Sequence, residues 1–125
     1  MNRYQSEVTE FHRALGITIG ESPMIRRPEL RAELIREESK ELRKAIIDGD
    51  ILGAIDGMCD VIVVTLGSAV EFGIDLDPFW DEVHRTNMAK RGGPVRADGK
   101  RLKPKGWTPP DLERVYREVY GLGSA

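Results

Sequence analysis

The chain has 125 residues, 40 % of them hydrophobic and 32 % charged, with 19 basic against 21 acidic side chains. That length makes one domain, residues 1–125, whose core is small enough to gain from association with further copies. A net charge of −2 gives no global field to draw it onto nucleic acid or an anionic membrane, and the single Cys59 excludes an internal disulfide framework or a cysteine-rich zinc site.

Tyr4, Val8, Phe11 and Leu15 recur at helical spacing and mark one face of a first helix. Gly16 and Gly20 loosen the chain, and Pro23 and Pro28 bound a loop that carries Arg26 and Arg27. From Glu29 to Asp48 there is no glycine or proline, and strong helix formers dominate; Pro28 suits the first turn and Gly49 the stop. Asp50 caps a third helix running to about Phe72, with Gly73 ending it. Its length is almost entirely apolar or small, so burial on most of its circumference is expected. Asp75 or Asp77 then caps a fourth helix, with Pro78 in its first turn and Phe79, Trp80, Val83 and Met88 on its apolar side. A glycine- and proline-rich segment follows, too long for a plain connector, before a short helix near Asp111 to Tyr120. The expected fold is all-α: four principal helices in a bundle, a basic loop and a C-terminal helix, in an oligomer.

Location is read from the same features. MNRYQSEVTEF has no apolar h-region, so no signal peptide is expected, and a lone thiol suits the reducing cytoplasm. The stretch from Ile51 to Val70 is interrupted by Asp56 and Asp60, so no bilayer span is expected.

The acids carry the chemistry. Glu37, Glu38 and Glu41 can converge near one face of the second helix. The plain alternative is a solvated face on which Lys40 and Lys44 pair with Glu37 and Glu41. Asp56 and Asp60 are harder to dismiss, because two carboxylates four apart in an apolar helix need a cation. A neighbouring arginine or lysine supplies it, or a metal does. With carboxylates as the only abundant ligands, and His12 and His84 the only histidines, the metal of choice is Mg²⁺ or Mn²⁺. Gly53 and Gly57 cost this helix about 2 kcal/mol relative to alanine. Either close helix packing requires them, or they leave room beside Asp60 for a hydrated ion.

From Lys90 to Lys105 seven basic residues (Lys90, Arg91, Arg96, Lys100, Arg101, Lys103, Lys105) face one acid, Asp98. A small polyanion such as a triphosphate is the expected partner, in preference to nucleic acid. Asn87 and Lys90, three apart, can address a phosphate or a base together, and Trp107 either pins the loop or stacks on a base.

The runs LIREESKELRKAI, AIDGMCDVIVVTLGSAVEFGIDLDPFWDEVHRTNMAKR and ADGKRLKPKGWTPPDL resemble the MazG-like all-α nucleoside triphosphate pyrophosphohydrolases. Within them the chain is most similar to the phosphoribosyl-ATP pyrophosphohydrolase-like branch, related to the dimeric dUTPases. The family signature is Glu-x-x-Glu on one helix and Glu-x-x-Asp on the next. Glu38 and Glu41 match the first half and Asp60 the end of the second, whereas Gly57 stands at the remaining acid position. The resemblance implies Mg²⁺-dependent hydrolysis of a nucleoside triphosphate, with dUTP and related non-standard deoxynucleotides as candidates, to monophosphate and pyrophosphate. It implies Glu38, Glu41 and Asp60 as metal ligands, Asp56 as replacement ligand, and Glu37 as ligand or water-orienting base. It further implies Asn87, Lys90, Arg91 and Lys103 on the substrate, and a homodimer or homotetramer. The rivals are phosphoribosyl-ATP hydrolysis and a non-catalytic relative in which Gly57 has abolished the metal site.

Overall fold

Helix boundaries fall where caps and breakers stand. The computed structural model describes residues 1–121, and the last four of the expected domain, 122–125, lie outside the described residues. Among the described residues there are five α-helices: α1 Arg3–Leu15, α2 Pro28–Ile47, α3 Ile51–Glu71, α4 Asp77–Met88 and α5 Leu112–Tyr120. Among the described residues the only β pairing is an isolated antiparallel bridge between Val95 and Arg101. The fold is all-α.

Asn2 caps α1 by accepting from the Gln5 amide at 2.9 Å, and Gly16 ends it in the left-handed region. Pro28 opens α2, and Asp50 caps α3 through the Gly53 amide at 3.0 Å. The start of α4 differs from expectation: Leu76 is the N-cap and makes no side-chain cap bond, so Pro78 in the first turn defines that start.

The chain forms two compact units, Met1–Asp75 and Leu76–Ala125. In the first, α3 packs against both α1 and α2. Gly57 explains how closely α2 approaches: a Cβ added there would lie 3.0 Å from Leu42 Cα and 3.1 Å from Leu42 Cβ. Close packing therefore accounts for this glycine, and the space beside it is filled by α2 rather than left for an ion. The same contact gives a physical reason for the missing acid at position 57.

The expectation that α3 is buried on most of its circumference is not met. Burial gathers in the C-terminal third, Leu66 to Glu71, while Ile51, Leu52, Ile55, Met58, Ile62 and Val63 are exposed. Leu52 is 75 % accessible. The first unit supplies α1 and α2 as helical partners, and two helices cannot cover a 21-residue apolar cylinder. By length and a mean hydropathy of 1.7, α3 is also long and apolar enough to cross a membrane. The α1 stripe is likewise only partly used: Val8 is buried, but Tyr4, Phe11 and Leu15 are exposed.

Where α3 is buried, polar groups share its core. Glu71 is fully buried, ion-paired to Arg27 and lying 3.3 Å from Arg31 Nη1. Buried Arg31 also donates to Ser68 Oγ at 3.0 Å and to the Val64 carbonyl at 2.8 Å. Burial pulls the Arg31 guanidinium below its ordinary pKa, which Glu71 opposes and Arg27 reinforces. Gly67 makes room for this cluster, since a Cβ there would meet Arg31 Nη2 at 2.7 Å and His12 Nε2 at 3.0 Å. Arg27 adopts φ 46°, an uncommon conformation for a non-glycine residue, at the point where its side chain joins Glu71.

In the second unit Glu82 on α4 is the organising group. Its buried carboxylate accepts from Arg85 Nε and Nη2 at 2.8 Å each, from the Asp111 amide at 2.7 Å and from Arg114 Nη2 at 3.2 Å. These bonds fasten the start of α5 to α4, and Phe79 stacks on Tyr120 with ring centroids 6.3 Å apart. The apolar face read on α4 is only partly covered, with Trp80 70 % exposed. Hydrogen bonds from Arg85 first, then from the Asp111 amide, hold the Glu82 carboxyl at a pKa of about 2. A depressed carboxyl stabilises the fold above its unfolded value, here 4.5, and that contribution is lost as pH falls toward 2. Glu82→Gln is therefore expected to lower the melting temperature at pH 7, with the gap to wild type narrowing progressively below pH 4.5. Melting curves across that range check it.

Candidate functional site

The acids of α2 and α3 act on Glu38 through their charges. Its side chain is half-buried, and Oε2 is fully buried without a hydrogen-bond partner. Burial, and then the negative charges of Glu41, Asp60, Glu37 and Asp56, hold the Glu38 carboxyl above its ordinary pKa. All five predicted acids thus belong to one electrostatic cluster within the first unit. Glu37, Glu41 and Asp56 are exposed, and Asp60 is half-buried.

Two of the neighbouring cations are engaged elsewhere. Arg36 pairs with Glu33 at 2.5 Å and Lys44 with Asp48 at 2.5 Å, so the expected Glu41–Lys44 pairing is not formed. Glu37–Lys40 is not formed either among the described residues. Glu38, Glu41, Asp56 and Asp60 have no basic side chain in ion-pair contact there. Among the described residues, the alternative of an arginine or lysine paired with the two aspartates is therefore not found.

Among the described residues no three Asp, Glu, His or Cys side chains stand close enough together to hold a metal ion in their present conformations. Uncompensated carboxylates repel one another, and the exposed members are free to extend into water. The residues nevertheless fit a hard divalent ion. An orphaned buried oxygen on Glu38 needs a positive partner, four further carboxylates add negative charge to it, and oxygen donors suit Mg²⁺ or Mn²⁺.

The second unit gathers most of the predicted substrate residues. Lys90 Nζ donates to Asn87 Oδ1 at 3.1 Å and lies 5.3 Å from the centroid of the Trp107 ring. Lys103 Nζ lies over the same ring at 4.8 Å. Such contacts contribute about 0.5–1 kcal/mol each at exposed sites. Arg91 is exposed and does not join the group. Arg96 is neutralised by Asp98, and Arg101 donates to the Gly93 carbonyl at 2.5 Å, so these two hold the loop's own shape. Trp107 pins the loop, its indole Nε1–H donating to the Thr86 carbonyl at 2.7 Å.

Sequence reading missed the buried pairing of Arg27 and Arg31 with Glu71, and the Glu82 anchor. The signals were present: two arginines in the Arg26–Arg27–Pro28 loop, Arg31 one turn on, and an acid closing the apolar run of α3. No curated protein sequence matches the chain. The sequence profile of the phosphoribosyl-ATP pyrophosphohydrolases matches residues 8–87, a span that contains α2, α3, every acid of the cluster and Asn87. The chain is thus a nucleotide pyrophosphohydrolase by descent, and it belongs to the phosphoribosyl-ATP pyrophosphohydrolase family.

Proposed function

We propose that the protein hydrolyses a nucleoside 5′-triphosphate to the monophosphate and pyrophosphate with Mg²⁺ or Mn²⁺ held by the α2–α3 acids. The observation that carries this reading is the buried, unpartnered Glu38 oxygen amid four other carboxylates, with no arginine or lysine paired to it. A divalent ion, when bound, supplies positive charge that polarises phosphoryl oxygens and makes water a better nucleophile at neutral pH. Glu38, Glu41 and Asp60 are the ligands in this reading, with Asp56 in place of the acid absent at Gly57. Glu37, exposed one residue before Glu38, takes the proton from the attacking water. Water adds to phosphorus as the bridging P–O bond breaks, and the pyrophosphate leaves with the electron pair. Asn87, Lys90, Arg91 and Lys103 hold substrate phosphates through charge-assisted bonds.

A second reading, phosphoribosyl-ATP as the substrate, is favoured by the family match itself and requires the same cleavage. The test is pyrophosphate release, with nucleotide products resolved, from a panel of deoxynucleoside triphosphates including dUTP and from phosphoribosyl-ATP. One substrate is expected to exceed the others by at least tenfold in kcat/KM. No release from any of them with either metal would refute the hydrolase assignment.

We also propose that the exposed face of α3 docks on a second copy of the chain, in a homodimer or homotetramer. Ile51, Ile55, Met58 and Ile62 repeat at spacings of four, three and four along it, a continuous apolar stripe of the kind that marks an interface. A bilayer is the poorer occupant, because Asp56 and Asp60 sit on the same helix. Ile55→Glu is expected to shift the sedimenting species from oligomer to monomer, and a monomeric wild type would contradict the interface. The lone exposed thiol, Cys59, supports the reducing cytoplasm as the compartment.

A further inference from the structure

The basic segment holds an arrangement that its charge alone does not explain. Two ammonium groups, on Lys90 and Lys103, share one indole ring, and neither has a carboxylate partner among the described residues. Their distances from the ring centroid place them within about 10 Å of each other, one Debye length at 0.1 M salt, so they repel. Trp107 is itself fixed. Its Nε1–H satisfies the Thr86 carbonyl, which the helix leaves free because the Lys90 amide bonds to Asn87 instead, at 3.1 Å. The Trp107 amide closes a turn onto the Pro104 carbonyl at 3.1 Å, which ties the ring to the strand of loop carrying Lys103. The ring is therefore a rigid platform at the C-terminal end of α4, with one lysine from the helix end and one from the loop resting on it.

We infer that Trp107 is a positioning residue that presents Lys90 and Lys103 as a ready-made pair for the polyphosphate of a nucleotide. The attraction of an ammonium to an indole face is weaker than its attraction to a phosphate dianion, so the ring holds both cations until the anion takes them. Holding them beforehand lowers the ordering cost of binding, since both long side chains are already confined. Asn87 serves the same end: its carbonyl oxygen accepts from Lys90, which leaves its amide N–H groups to donate to an anion.

This inference rests on the proposed triphosphate substrate, and its test separates the two. Trp80→Phe, a change at an exposed ring outside the pair, leaves Trp107 as the sole tryptophan. Titrating that protein with inorganic tripolyphosphate without divalent metal is expected to change Trp107 emission saturably, with affinity falling steeply as salt rises. Lys103→Gln in the same background is expected to weaken that affinity about tenfold. In the metal-loaded enzyme, Trp107→Phe, which lacks the N–H but keeps a ring, is expected to raise KM about tenfold while kcat stays within threefold. Lys103→Gln, at an exposed position that cannot disturb folding much, should reproduce that split. An emission response with no hydrolysis of any substrate would uphold the platform and defeat the hydrolase reading. Hydrolysis with no emission response, and with unchanged KM in both variants, would overturn the platform alone.

Discussion

Asp60→Asn is expected to lower kcat/KM at least about a hundredfold, since changing groups that merely support a metal's ligands already costs 10–100-fold and Asp60 is assigned as a ligand itself. Glu38→Gln should cost as much activity but move stability in the opposite direction. Glu38 is held above its ordinary pKa by burial and by like charges, so its ionised form is disfavoured in the fold. Removing that charge relieves the repulsion, and the metal-free Gln variant should melt above metal-free wild type. Saturating Mg²⁺ reverses the order. An ion that binds only the folded wild type adds about 2.7 kcal/mol at one hundred times Kd, a gain the variant lacks. A merely structural glutamate would show neither the inversion nor its dependence on metal. Melting and steady-state kinetics, with and without Mg²⁺, decide between them.

Glu71→Gln is expected to be the most destabilising conservative change in the first unit, by about 3–5 kcal/mol, the range for removing one partner of a buried ion pair. In a chain of this size that lowers the melting temperature by about 15–25 °C. Glu71 is fully buried, and its loss as an anion leaves Arg31, itself buried, without its counter-charge. Its Oε2 already lacks a hydrogen bond although it lies within ion-pair distance of Arg31, so the cluster has little reserve. Pairing Arg31→Met with Glu71→Leu should cost less than the sum of the single changes, because no charge is then left buried. On the surface of α2, Glu33→Gln, which breaks the exposed pair with Arg36, should stay within about 0.5 kcal/mol. Chemical denaturation of these variants checks the ranking.

The parts of this architecture legible in the sequence are those governed by local chemistry. Asp50, Pro28 and the glycines announce where helices start and stop, because capping and φ preference act within a few residues. The acid pairs on α2 and α3 could be grouped, because helical spacing fixes which side chains share a face. What escaped is non-local. Whether Arg31 pairs with Glu71, 40 positions away, depends on how α2 and α3 cross, and Gly67 shows its purpose only once both neighbours are in place. The role of Glu82 likewise depends on Asp111 and Arg114 reaching it from α5, 29 and 32 positions away. The exposed face of α3 escaped for a different reason. Hydropathy says that a surface must be covered, and not whether the cover comes from the same chain.

If carboxylates of α2 and α3 form a divalent-cation centre around Glu38, anomalous diffraction from crystals grown with Mn²⁺ will reveal it. The expected result is an anomalous peak bonded to Glu38, Glu41 and Asp60 at the distances of metal–oxygen coordination, lost in Asp60→Asn crystals. A map with no manganese at these side chains, at concentrations where pyrophosphate release is full, would contradict it.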